Sequence, residues 1–102
     1  MRKRTAAASG SRASMIDVVS VHPLGDYRLR ITFSDGLVGV HDFSSTAARD
    51  GEMVRPLKDP AFFARVFVEL GAPTWPNGFD LDPIALHERM AAAGELTRVA
   101  AE

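Results

Sequence analysis

The sequence predicts an α+β domain: a mainly antiparallel sheet of about five strands, opening with a three-stranded meander, plus two or three short helices. Three observations carry this expectation. Residues Tyr27 to Ser34 alternate apolar and polar without a break and run straight into Asp35-Gly36, a pair suited to a hairpin turn. A β-branched run, Ile16 to His22, precedes them. Two Asp-Pro pairs, Asp59-Pro60 and Asp82-Pro83, each open a short apolar segment in the manner of a capped helix.

Taken in order, Ile16 to His22 reads as a strand halted by Pro23, with Pro23-Leu24-Gly25-Asp26 as a turn. In the second strand Tyr27, Leu29, Ile31 and Phe33 share one face; Arg28, Arg30, Thr32 and Ser34 share the other. A two-residue type I′ turn at Asp35-Gly36 pairs Ser34 with Leu37, Phe33 with Val38 and Ile31 with Val40, which sets Val38 and Val40 on the apolar wall. Ser44 caps a short helix over Ser45 to Arg49 that ends at Gly51. Asp59 caps a helix bearing Phe62, Phe63 and Val66. Phe67 to Leu70 forms a fourth strand, Gly71-Ala72 a turn, and Pro73-Thr74-Trp75 a fifth strand at an edge. Asp82 starts the last helix, which buries Leu86 and Met90 and stops near Ala93 with Gly94 beyond it. The residues that follow extend this helix or fray.

A length of 102 residues fits one domain, placed at residues 15–94 with a tail at 1–14 and an extension at 95–102. A core this small leaves a thin stability margin, which self-association would widen. The chain has no cysteine, which excludes disulfides, thiol nucleophiles and thiolate zinc sites and accords with a reducing cytoplasm. It shows neither an apolar run of membrane-spanning length nor a signal-peptide core. The tail holds Arg2, Lys3, Arg4 and Arg12 and no acid, reads as disordered, and is followed by Met15 as a possible alternative start. The remainder carries 8 basic against 13 acidic residues, so the body is acidic by five charges.

Candidate chemistry is sparse. Asp80 and Asp82 with His87 beyond them form the one grouping that resembles an acid–base or metal-dependent site, although Asp82 is accounted for as a cap and Asp80 as a turn residue near Asn77-Gly78. The ligand spacing fits no metal geometry, and no cofactor is expected. His22, His41 and His87 are scattered, and His41 and Asp42 point to opposite faces of a strand. No Gly-x-Ser-x-Gly elbow or Gly-rich phosphate loop is present. Arg28 and Arg30 are the candidates for contact with nucleic acid, opposed by the acidic body and by the lack of interleaved aromatic residues. Trp75 serves as a core wall or, with Asn77 and Asp80, as part of an interaction surface.

Several stretches together resemble a small bacterial family, domain of unknown function 2442. They are Val18 to Val21 with Pro23, the segment Ile31 to Gly36, Pro56 to Phe63, and Thr74 to Pro83 leading to Leu86. His87 stands where members of that family often carry Tyr. The resemblance implies an α+β fold with a mainly antiparallel sheet and no established activity. It also implies a gene frequently adjacent to one for another small family of unknown function, number 4160, in pairs that look like toxin–antitoxin modules. Some longer members add a helix-turn-helix, for which this sequence shows no pattern.

The expected function is therefore a non-catalytic, cytoplasmic protein-interaction module, antitoxin-like, with a small protein partner encoded nearby or a second copy of itself. The alternatives are a ligand-binding or metal-dependent enzyme domain using the segment from Trp75 to His87, and a weak nucleic-acid binder.

Overall fold

Alternation in the second strand determines the architecture. In the computed structural model, which describes residues 16–98, Leu29, Ile31 and Phe33 are fully buried while Arg28 and Arg30 on the reverse face are exposed. The strands β1 (Val18–Gly25), β2 (Arg28–Phe33) and β3 (Leu37–Asp42) form the expected antiparallel meander, and β6 (Thr97–Arg98) joins it beyond β3. Between β3 and β6 lie α1 (Ser44–Ala47), a 3-10 turn (Arg55–Lys58), α2 (Pro60–Phe63), β4 (Phe67–Glu69), β5 (Ala72–Thr74) and α3 (Pro83–Ala92). The fold is α+β. The expected basic tail at 1–14 and the end of the C-terminal extension lie outside the described residues.

The β2–β3 register differs from the expected one by a residue. Ile31 pairs with Gly39, Arg30 with Val40 and Thr32 with Val38. The loop has three residues, closed by Gly36 N–H donating to the Phe33 carbonyl at 3.0 Å, with Gly36 at φ 90°. This is a type I turn followed by a left-handed bulge residue. A one-residue slip exchanges the faces of a strand. Val38 and Val40 therefore sit on the wet face, and Gly39 and His41 turn inward. A Cβ on Gly39 would lie 2.2 Å from the Glu95 carbonyl oxygen, so the absence of a side chain is what lets the chain after α3 pack here.

Two-residue loops with positive φ at both positions do occur, elsewhere. Asp26-Tyr27 (φ 57° and 62°) joins β1 to β2, and Leu70-Gly71 (φ 54° and 78°) joins β4 to β5. β1 thus continues through Pro23 to Gly25, which an outer strand tolerates because proline there forfeits no essential ladder bond. The fourth and fifth strands leave the main sheet and form their own ribbon, whose tip reaches β1 through Val18 N–H donating to the Gly71 carbonyl at 2.8 Å.

The helices follow their caps. The Asp59 and Asp82 carboxylates accept from the amides of Ala61 and Ile84, each at 3.0 Å. At α1 Ser44 is the first helical residue and not the cap: Phe43 precedes the helix without a side-chain cap, Asp42 accepts from Ser44 N–H at 2.8 Å, and the helix ends at Ala47. Lys58 Nζ closes this end, donating to the carbonyl of Ala47, the last helical residue, at 2.9 Å and to that of Arg49 just beyond it at 2.8 Å. α3 closes in a Schellman motif, with Glu95 N–H on the Met90 carbonyl and Gly94 N–H on the Ala91 carbonyl. The chain then turns back as β6 instead of extending the helix.

The core lies between the inner face of the sheet and the connecting elements. Its largest fully buried side chains include Trp75, Phe33, Phe43, Leu57 and Met90. A run of rings crosses it from Tyr27 through Phe63 and Trp75 to Phe79, with centroids 5.1 to 5.7 Å apart.

Candidate functional site

Trp75, Asn77 and Asp80, the residues the sequence offers for interaction, fall in one segment but have separate surroundings. Trp75 is fully buried, and its indole Nε1 donates to the Phe63 carbonyl at 2.9 Å; this is the position of a core wall. Asn77 is half-buried and structural: Nδ2 donates to the Met53 carbonyl at 2.9 Å, and Oδ1 accepts from Phe79 N–H at 3.3 Å. Asp80 is exposed and forms an isolated antiparallel bridge with Thr74 instead of binding the turn amides before it.

Asp80, Asp82 and His87 do not converge. Asp82 caps α3, and His87 Nε2 reaches back 2.8 Å to Asp35 Oδ2 in the β2–β3 turn, its ring edge-on to Phe33. Among the described residues no three His, Asp or Glu side chains are placed to hold a metal ion together. Partial burial raises the Asp35 pKa, but the Leu37 amide and the His87 contact together outweigh it and hold the carboxyl below its ordinary value. Asp42 is also lowered, first by the Ser44 amide it caps.

Arg28 and Arg30 project from the outer face of the sheet, as the alternation requires. Arg28 lies opposite Asp42, and Arg30 lies between His22 and Val40. The face is mixed in charge and in polarity.

Sequence reasoning missed the most unusual surface feature, at the tip of the β4–β5 ribbon. Leu70 is 95% exposed and holds φ 54°, a left-handed conformation that costs a residue with a Cβ about 1 kcal/mol. Val19 (56% exposed) is adjacent in sequence to Val18, and Leu70 to Gly71, so the Val18–Gly71 hydrogen bond brings these two exposed apolar residues onto neighbouring backbone. Phe67, at the base of the same ribbon, is 41% exposed. Beside Leu70 runs an open cleft of about 320 Å³ lined by Glu69, Ala72, Thr74, Gly78 and Asp80. Asp17 adds a third carboxylate, since its Oδ1 would lie 2.4 Å from a Cβ on Gly71. The surface is an apolar tip set among Asp17, Glu69 and Asp80. The signal for it was a leucine in the first position of a two-residue hairpin loop, where Asn is the usual occupant.

The family model for proteins of unknown function DUF2442 matches residues 18–91. The chain belongs to this family. The DUF2442 match spans the meander, the ribbon and all but the last residue of α3, so the Leu70 tip and its cleft lie within the family domain, whereas β6 lies beyond it. Neither the curated proteins nor the solved structures yield a match. No helix among the described residues is long and apolar enough to cross a membrane.

Proposed function

We propose that this DUF2442 protein is a non-catalytic interaction module whose contact surface is the Leu70 tip and the cleft beside it, and that its partner is a small basic protein encoded nearby. The observation that carries this reading is Leu70 itself. An apolar side chain almost wholly in water, held in a conformation that disfavours it, contributes nothing evident to the fold. Burial against a partner would recover its hydrophobic contribution, on the order of 1.5–3 kcal/mol for a leucine. Asp17, Glu69 and Asp80 around it, on a body acidic by five charges, select a partner of opposite sign and favour fast encounter. An antitoxin-like role, neutralising the partner by covering its basic surface, is the specific form of this reading.

The test is co-expression with the small protein encoded by the neighbouring gene. Co-elution of the two on size exclusion, lost in Leu70→Asp with the fold intact, is the expected result. Growth arrest by the neighbour alone, relieved by this chain, is expected for the antitoxin role. A complex indifferent to Leu70→Asp removes the surface assignment, and failure of the two proteins to associate removes the paired role.

A further inference from the structure

We propose that a second site, a cleft between α1 and α3, binds a small monocarboxylate. The cleft shares no residue with the Leu70 surface and stands independently of the reading above. It measures about 90 Å³, several times what a single water needs. Its apolar lining is Phe43, Leu81 and Leu86. Arg89 reaches it from α3, where Asp82, Ala85, Leu86 and Arg89 follow one another at helical spacing on one face. Arg49 reaches it from the segment just after α1.

Three observations point to an anionic ligand. Neither Arg49 nor Arg89 has a carboxylate partner among the described residues, where both ion pairs found involve histidine. Arg49 and Arg89 both line this one cleft, and the guanidinium fork suits a planar, two-oxygen carboxylate. Thr46, only 5% exposed, lines the same cleft, and its hydroxyl has no hydrogen-bond partner among the described residues. Buried hydroxyls ordinarily find one. The ligand's charge follows from the remaining groups. Asp82 also lines the cleft and opposes a dianion more strongly than a monoanion, while Phe43, Leu81 and Leu86 suit a short hydrocarbon stem. A short-chain acyl carboxylate satisfies both; inorganic phosphate satisfies neither.

The experiment is titration of the full chain with sodium butyrate, followed by amide shifts in ¹⁵N-resolved spectra, with sodium phosphate and sodium chloride as parallel arms. Saturable shifts confined to Thr46, Arg49, Ala85 and Arg89 are expected with butyrate. Arg49→Gln and Arg89→Gln should each weaken binding about tenfold, the loss of one charge-assisted contact. Both arginines are exposed, so the variants should retain the wild-type spectrum elsewhere. Shifts that never saturate, or that persist in both variants, overturn the site. Tighter binding of phosphate than of butyrate overturns the ligand class.

Discussion

His41 Nδ1 lies 2.7 Å from Glu95 Oε1, tying the end of β3 to the residue that closes the Schellman turn of α3. The contact exists because His41 faces inward, and it faces inward because the hairpin loop has three residues. Gly39 sits two residues earlier on the same face, against the Glu95 backbone. Gly39→Ala should therefore cost about 1–3 kcal/mol through overpacking, measured as a lower urea midpoint. Val40→Thr, on the wet face, should stay within about 0.5 kcal/mol of wild type. A neutral Gly39→Ala paired with a costly Val40→Thr would restore the two-residue loop.

The Asp35–His87 pair links the hairpin turn to α3 and makes part of the stability depend on acid. Folded Asp35 holds its proton less tightly than the unfolded chain does. As pH falls below the ordinary carboxylate range the unfolded state takes up a proton first, so this contribution is complete above that range and is lost as pH drops through the folded pKa. The stability gap between wild type and Asp35→Asn should be larger at about pH 6 than at about pH 3. Chemical denaturation at the two values measures it; an unchanged gap would mean the contact does not persist in solution.

Leu70→Asn should raise stability by about 1 kcal/mol, because Asn-Gly suits a type I′ turn and the left-handed penalty falls. The melting temperature should rise by several degrees for a domain of this size. The same substitution should weaken partner binding. Opposite signs for stability and binding are the signature of a residue retained for contact.

Trp75 should emit with a blue-shifted maximum and resist quenching by acrylamide, since it is fully buried. Trp75→Phe removes the donor to the Phe63 carbonyl and should cost about 1–3 kcal/mol by thermal or chemical melting. Ready quenching in the wild type would place the indole at the surface.

The two aspartate caps were legible because each is a local device: Asp, then Pro, then apolar residues, all within one turn of helix. The inward face of β2 was legible for the same reason, since alternation needs only one strand. The register of β3 was not. Asp35-Gly36 suits either a two-residue or a three-residue loop, and the choice depends on which inner face packs better. His41 on Phe43 and Glu95, with Gly39 beneath the end of α3, settled it. The true type I′ loops, Asp26-Tyr27 and Leu70-Gly71, carry Tyr and Leu where Asn or Gly is usual, so composition concealed them.

The sequence by itself determined the α+β class, the meander, the capped helices, the buried face of β2 and the family, because those rest on short-range periodicity and local chemistry. The tertiary structure decided what meets what: the slip in β3, the ribbon set apart from the main sheet, the return of the chain as β6, and the two surfaces proposed for binding. Leu70 is exposed, and Arg49 and Arg89 flank one cleft, only because elements distant in sequence pack around them. Such placement depends on contacts across the fold, which no local pattern encodes.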